Sequence, residues 1–120
     1  METNKFKQAR VVENLKGLGF TLLAEWDTLS FLHRHPASLG TAAQIAPLIG
    51  YESAEIAAAL VKLESLGLIR RSRVYQSRRL YQISIPPEPL RRSSLVELMA
   101  LAQTRTGRVL LVQHLTGRQE

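Results

Sequence analysis

The sequence predicts a mainly α-helical fold with one small β-hairpin, which places it in the α+β class. Three observations support this prediction. Apolar residues recur at three- and four-residue spacing from 52 to 66, apolar and polar residues alternate from 81 to 85, and glycines follow the helical stretches at 50 and 67. The first pattern is typical of a helix with one buried face and the second of a strand with one buried face, while glycine readily ends a helix.

A short helix is predicted at the start of this central segment. Thr41 and Gln44 form the T-x-x-Q pattern of a capping box, in which each side chain bonds the other residue's backbone N–H. The helix therefore starts at about Ala42, and Gly50 ends it. Pro47 lacks an N–H near the end of this helix, so we expect the helix to be kinked or cut short.

A longer helix is predicted from Glu52 to Leu66. Gly67 supplies its stop, because a residue without a Cβ adopts the left-handed conformation that satisfies the last carbonyls at no steric cost. The predicted buried face consists of Ile56, Ala59, Leu60, Leu63 and Leu66. The residues at helical spacing away from that face are Ser53, Ala54, Ala57, Ala58 and Val61.

Two strands are predicted after this helix, joined by an arginine-rich turn. The first strand starts at Leu68 and Ile69, and the turn spans about Arg73 to Arg79. The second strand has the period of two that marks a half-buried strand. Its apolar positions are Leu80, Tyr81, Ile83 and Ile85. The order of helix, turn, helix and hairpin is that of a winged helix-turn-helix, in which the hairpin is the wing.

Two stretches of the chain resemble a known family. LVKLESLGLIRR, residues 60–71, resembles the end of the recognition helix and the first wing strand of winged-helix transcriptional regulators of the MarR and PadR kind. TAAQIAPLIG, residues 41–50, resembles the helix before it, and the resemblance covers roughly residues 20–85. It implies a DNA-binding homodimer with a pocket for a small-molecule effector between the dimer helices and the winged core. No residue points to a class of effector.

The sequence predicts three regions: an N-terminal dimerisation helix at 1–20, the winged helix-turn-helix domain at 21–86 and a C-terminal dimerisation segment at 87–120. Residues 5–16 are typical of an amphipathic helix, which the stretch Gly17-Leu18-Gly19 ends. A second helix begins at Thr21 and ends at Pro36. Its residues at core spacing are Leu22, Leu23, Trp26, Leu29, and Leu32 or His33.

The C-terminal segment is predicted to open with a second capping box, formed by Ser94 and Glu97. Its helix could continue past Gly107, or residues 108–115 could form a strand or a separate helix, because glycine within a helix costs about 1 kcal/mol relative to alanine. The apolar residues that need a partner surface here are Val109, Leu110, Leu111, Val112 and Leu115. We therefore expect the N-terminal helix and this tail to build a homodimer; the alternative is that the tail packs on its own domain.

The amino-acid composition limits the class of protein, its location and the chemistry that the sequence predicts. A chain of 120 residues with 45% hydrophobic and 22% charged residues is typical of one globular domain. Its polar N-terminal stretch and the lack of a long apolar run predict a cytoplasmic location without a membrane segment. The chain has no cysteine and no set of side chains with the spacing of metal ligands, so no metal or cofactor is predicted. No phosphate-binding loop or catalytic constellation is recognisable, so we expect no enzymatic activity.

Positive charge is concentrated in one part of the chain. The net charge is +6, and between Arg70 and Arg92 there are seven arginines and one acid, Glu88. Guanidinium groups match phosphate geometry and enter narrow minor grooves, so we favour DNA contact over a merely solvated hairpin. The predicted DNA-binding residues are Ser53, Ala54, Glu55, Ala57, Ala58, Arg70, Arg71, Arg73, Gln76, Arg78 and Arg79.

The predicted recognition helix departs from the family pattern. Family members commonly carry Ser, Thr, Gln or Arg at the positions that match Ala54, Glu55, Ala57 and Ala58, and Glu52 adds a second negative charge that phosphates repel. Two hypotheses follow. In the favoured one, the chain is a dimeric DNA-binding regulator whose wing arginines supply most of the affinity. In the alternative, it is a protein-interaction module whose alanine stripe docks another chain while the arginines meet an acidic partner.

Overall fold

The computed structural model describes residues 2–35, 41–75 and 78–115, and describes side chains for residues 8–35, 41–71 and 81–115. Within these ranges the chain is mainly helical and carries one two-stranded antiparallel sheet, as the α+β prediction requires. The elements are α1 (Glu2–Leu18), α2 (Leu23–Arg34), α3 (Ala42–Ile49), α4 (Ser53–Ser65), β1 (Ile69–Tyr75), β2 (Arg78–Ile83), α5 (Pro89–Ala102) and α6 (Arg105–His114). No helix in the described ranges has the length and apolar character needed to cross a bilayer.

The chain divides into two compact units. The central unit comprises Ala24–Ile85, and the flanking unit comprises Met1–Leu23 together with Pro86–Glu120. The central unit therefore contains most of α2 and all of α3, α4 and the hairpin, whereas the flanking unit contains α1, α5 and α6.

In the central unit, the predicted start and stop of α3 are confirmed. The backbone N–H of Gln44 donates to Thr41 Oγ1 at 3.2 Å, and the N–H of Thr41 donates to Gln44 Oε1 at 3.0 Å, which completes the capping box. Gly50 closes the helix in the left-handed region with φ 81°. Pro47 lies inside α3, and the helix ends two residues after it.

The predicted course of α4 is also confirmed. The residues Ile56, Ala59, Leu60 and Leu63 are buried, whereas Leu66 is half-buried. Gly67 has φ 76°, and the N–H of the following residue, Leu68, donates to the carbonyl of Leu63 at 3.0 Å. These features form a Schellman motif, in which glycine allows the chain to turn back and satisfy the last carbonyls of the helix.

The strands of the hairpin are longer, and its turn is shorter, than the sequence predicts. β1 and β2 pair antiparallel with Ile69 opposite Ile83 and Tyr75 opposite Arg78, so the predicted turn from 73 to 79 is wrong for most of its residues. Arginines suit an exposed strand as well as a turn, and their charge therefore did not locate the turn. The register shifts by one residue between Arg71 and Val74, as in a β-bulge.

Helix α2 begins two residues later than predicted. Of the predicted core positions, Trp26, Leu29 and Leu32 are buried and Leu22 and Leu23 are half-buried, whereas His33 is exposed. The ring of His35 packs against that of Phe31 with centroids 4.7 Å apart. Pro36, predicted to end the helix, lies outside the described residues.

In the flanking unit, α1 differs from its predicted end. Val11 and Leu15 are buried as the amphipathic pattern requires, while the side chain of Phe6 lies outside the described residues. Gly17 is part of the helix, and Gly19 is the residue that ends it, with φ 95° and its N–H bonded to the carbonyl of Leu15 at 2.9 Å. Gly19, the second glycine of the predicted stop, therefore ends the helix, and Gly17 does not.

The start predicted for the first C-terminal helix is wrong. Helix α5 begins at Pro89, upstream of the Ser94 and Glu97 pattern, because proline at the first helical position has a suitable fixed φ and lacks an N–H that would be unpaired there anyway. Glu97 does not cap a helix. It accepts hydrogen bonds from Arg10 Nε at 2.9 Å and from Asn14 Nδ2 at 2.9 Å, so it joins α5 to α1.

Residues 105–114 form a separate helix, α6, which resolves the alternatives left open for the tail. Thr104 caps it by accepting from the N–H of Gly107 at 2.9 Å. A Cβ on Gly107 would lie 1.9 Å from the carbonyl oxygen of Leu101, so this glycine lets α6 approach the end of α5 closely. Of the tail residues predicted to need a partner, Leu110, Leu111 and Leu115 are buried within the chain, whereas Val109 and Val112 are exposed.

Candidate nucleic-acid interface

The predicted DNA-binding residues lie on two elements of the central unit, the outer face of α4 and the hairpin. On α4 the residues Ser53, Ala54, Ala57 and Ala58 are all exposed, and they lie on one side of the helix because residues four apart share a face. Val61 continues this face with 68% of its surface exposed. The outer face of α4 is therefore accessible, and it carries methyl groups together with the hydroxyls of Ser53 and Ser65.

The N-terminus of α4 is closed by its own acidic residues. The backbone N–H of Glu52 donates to Glu55 Oε1 at 3.2 Å. A carboxylate at this end of a helix is stabilised by the helix dipole and by the N–H groups that have no partner within the helix. Glu55, which the sequence placed among the DNA-binding residues, is half-buried and holds this cap.

The single cation of α4 is engaged with α2. Lys62 Nζ lies 3.5 Å from Glu25 Oε2, and the Glu25 side chain is 4% exposed. Because a buried carboxylate requires a partner, this ion pair fixes the position of α4 on α2. No local pattern in the sequence predicts this pair, because its members lie on different helices.

A second polar contact fixes the turn between α3 and α4. The hydroxyl of Tyr51 donates to Asp27 Oδ2 at 2.6 Å in a partly buried position. A hydrogen bond to a carboxylate is among the stronger ones in proteins. Asp27 is the only aspartate of the chain, and its role here was not predicted.

The hairpin arginines differ in their surroundings. Arg71 Nε lies 3.1 Å from one carboxylate oxygen of Glu64 and donates to the other at 3.2 Å, and this contact raises the pKa of Arg71. Arg70 is exposed and pairs across the sheet with Gln82, on the face opposite Arg71 because successive strand residues point to opposite sides.

The remaining predicted residues lie toward the end of the hairpin. Arg73 is in β1, and Arg78 and Arg79 open β2 opposite Tyr75 and Val74. The side chains of these three arginines, and the whole of Gln76, lie outside the described residues. The backbone thus brings Arg78 and Arg79 to the tip of an extended ribbon.

No family model, no curated protein and no solved structure matched this chain. The resemblance to MarR-like and PadR-like regulators therefore stays a prediction that rests on residues 41–50 and 60–71. Among the described residues, no three histidine, aspartate or glutamate side chains are grouped to hold a metal ion.

Proposed function

We propose that this chain is a DNA-binding transcriptional regulator with a winged helix-turn-helix domain of the MarR and PadR kind, acting as a homodimer. The observation that supports this best is a helix pair followed directly by an arginine-rich antiparallel hairpin within one compact unit. In such a domain α4 is the recognition helix and the hairpin is the wing. The positive charge of the hairpin favours a polyanionic partner.

The helix pair has the rigidity that such a role needs. Two contacts hold this segment on α2. Tyr51, in the turn between α3 and α4, bonds to Asp27, and Lys62, in the C-terminal half of α4, pairs with Glu25. The Schellman motif at Gly67 then leads into β1 within a few residues of the end of α4. The hairpin is thereby held at a defined position relative to α4, which a two-element DNA contact requires.

The hairpin supplies the attraction for phosphates. Residues 69–83 contain five arginines and no acidic residue. Each phosphate contact made by such a side chain releases counterions, so binding should weaken steeply as salt rises.

A second copy of the chain is the proposed partner of the flanking unit. Four large apolar side chains are exposed among the described residues of this unit, namely Leu90, Val96, Val109 and Val112. Covering them with the same surface of another copy removes apolar area from water on both sides. Light scattering at micromolar concentration should give the mass of two chains, and the mass of one chain would contradict the homodimer.

The function is tested by binding to duplex DNA between 50 and 300 mM salt, followed by fluorescence anisotropy. The variant R73A/R78A/R79A should bind more weakly and with a shallower dependence on salt, by up to about 0.9 in the logarithmic slope for each lost contact. The matched control R92A/R105A/R108A removes the same charge from exposed positions of the flanking unit and should retain more affinity.

A second candidate function is a protein-interaction module. It is favoured by the exposure of Leu48, at 71%, and Val61, at 68%, on the two helices of the pair. Lack of DNA binding by the unmodified protein at 50 mM salt would overturn the proposed regulator and leave this candidate.

A further inference from the structure

The proposed DNA contact has two elements, and they differ in what they offer to a duplex. We infer that the hairpin, and not α4, holds the DNA, and that the complex discriminates little between base sequences. This inference rests on the proposed function and states which element of the protein binds the DNA. It follows from three properties of α4 and one of the hairpin.

The outer face of α4 lacks the side chains that form paired hydrogen bonds with base edges. Direct readout uses side chains such as arginine, asparagine and glutamine, which form paired hydrogen bonds with base edges in the major groove. The exposed positions Ala54, Ala57, Ala58 and Val61 cannot donate or accept. Ser53 and Ser65 are exposed on this face with a hydroxyl group, which can bond to any base, and the hydroxyl of Ser65 already donates to the carbonyl of Lys62 at 2.7 Å.

The N-terminus of α4 does not attract phosphates. A free helix N-terminus binds anions through its unpaired N–H groups and its dipole. In this chain Glu52 and Glu55 place two carboxylates there, and Glu55 already accepts from the backbone N–H of Glu52 at 3.2 Å. A phosphate at this end would meet two negative charges.

The single cation of α4, Lys62, is already paired with a residue of α2. Lys62 lies on the C-terminal half of the helix and pairs with the buried carboxylate of Glu25 at 3.5 Å. Moving Lys62 to a phosphate would leave Glu25 charged, buried and without this partner, which is costly. The helix therefore offers neither paired hydrogen bonds to base edges nor electrostatic attraction to phosphates.

The hairpin has the properties that α4 lacks. Arg71 is engaged by Glu64, and the same ribbon carries four more arginines, at 70, 73, 78 and 79, in a sequence that contains no acid. A two-stranded ribbon fits into a groove of B-DNA, and arginine bonds phosphates without regard to sequence. The hairpin thus supplies affinity that is independent of the base pairs.

The test compares duplexes of equal length with A·T-rich, G·C-rich and mixed sequences at one salt concentration. We expect their Kd values to agree within about threefold, because each unfavourable base pair in a sequence-specific site typically costs at least about fivefold. Selection from a random duplex pool should enrich no common sequence. A Kd range above about tenfold, or an enriched motif, would overturn the inference while leaving DNA binding established.

A pair of α4 substitutions tests the helix directly. The variant A54Q/A58Q adds two long neutral side chains at exposed positions where glutamine is a good helix former. We expect its Kd to stay within about threefold of the unmodified protein, whereas R70A/R73A/R78A/R79A should lose at least about tenfold. A tenfold loss for A54Q/A58Q would show that α4 lies against the duplex and defeat the inference. If the unmodified protein binds none of the duplexes, the proposed function and this inference both fail.

Discussion

The two compact units hold their helices together by different means. In the central unit, the polar links from Tyr51 to Asp27 and from Lys62 to Glu25 each include a partly or fully buried group. Such links act over short distances and require a defined geometry, because a buried charge or hydroxyl without its partner is costly.

In the flanking unit, α1 and α5 are joined by an exposed ion pair and by partly buried hydrogen bonds from Asn14 to Glu97 and from Arg91 to the carbonyl of Leu18, while α6 is joined to α5 by a steric fit. Arg10 and Glu97 link α1 to α5 with half and two-fifths of their side chains exposed. Gly107 lets α6 contact the last turn of α5. The contrast is that a buried carboxylate, Glu25, is paired between two helices of the central unit, whereas a backbone approach that requires glycine joins two helices of the flanking unit, and four substitutions can test it.

The largest effect is expected at Gly107. In the variant G107A, the new Cβ would lie 1.9 Å from the carbonyl oxygen of Leu101, which belongs to the backbone and cannot rotate away. We expect a loss of about 3 kcal/mol in the free energy of unfolding, at the upper end for an overpacked site. Urea denaturation followed by circular dichroism measures this loss. G17A is the matched control, because nothing lies within 4 Å of its Cβ and alanine should stabilise α1 by about 0.5–1 kcal/mol.

The next largest effect is expected from K62M, which leaves the buried Glu25 carboxylate without the lysine. We expect a loss of about 2 kcal/mol, less than for a fully buried pair because Lys62 is one-third exposed. The double variant E25Q/K62M removes the charge as well and should lose less than the two single variants combined. Losses that simply add in a double-mutant cycle would show that the pair is not coupled.

A smaller effect is expected from Y51F, which removes the hydroxyl and keeps the ring. The loss should be about 1–2 kcal/mol, because Asp27 then lacks one hydrogen bond in a partly buried place. The unfolding midpoint in urea measures it. An unchanged midpoint would mean that water replaces the hydroxyl without cost and that the turn is held by its apolar contacts.

The smallest effect is expected for the exposed pair of the flanking unit. Hydrogen bonds from Arg10 and Asn14 lower the pKa of Glu97 in the folded chain. Folding therefore gains from this group above its unfolded pKa of about 4.3, and the gain is lost as pH falls through the lower folded value. Thermal unfolding of E97Q should resemble that of the unmodified chain at acidic pH and differ slightly at pH 7. A difference that persists below pH 3 or in 1 M salt would contradict an electrostatic origin.

Local features of the sequence sufficed for the central helices. The capping box of Thr41 and Gln44 and the stops at Gly50 and Gly67 act within a few residues, so their patterns located α3 and α4 correctly. The spacing of apolar residues likewise identified which side of α4 is exposed. These patterns depend on backbone geometry that every helix shares.

Contacts between distant residues could not be predicted in this way. Glu97 matches a capping pattern with Ser94 but bonds to Arg10 on another helix, and Gly107 weakens a helix by propensity but is required by the carbonyl of Leu101. In the candidate nucleic-acid interface, likewise, local patterns predicted which residues are exposed but not which residues pair between elements. Exposure of Ala54 and its neighbours followed from periodicity, whereas the pairing of Arg71 with Glu64 depends on how the hairpin lies beside α4.

The register shift in β1 also bears on how this chain avoids aggregation. The sheet has two strands, so within the described residues each strand has one edge whose backbone groups face no third strand. Such edges can pair with strands of other molecules, and proteins prevent this with charged residues and with bulges that twist the strand. The shift between Arg71 and Val74, together with the arginines along both strands, gives the hairpin both protections. Neutralising the arginines therefore leaves the bulge as the remaining obstacle to intermolecular strand pairing.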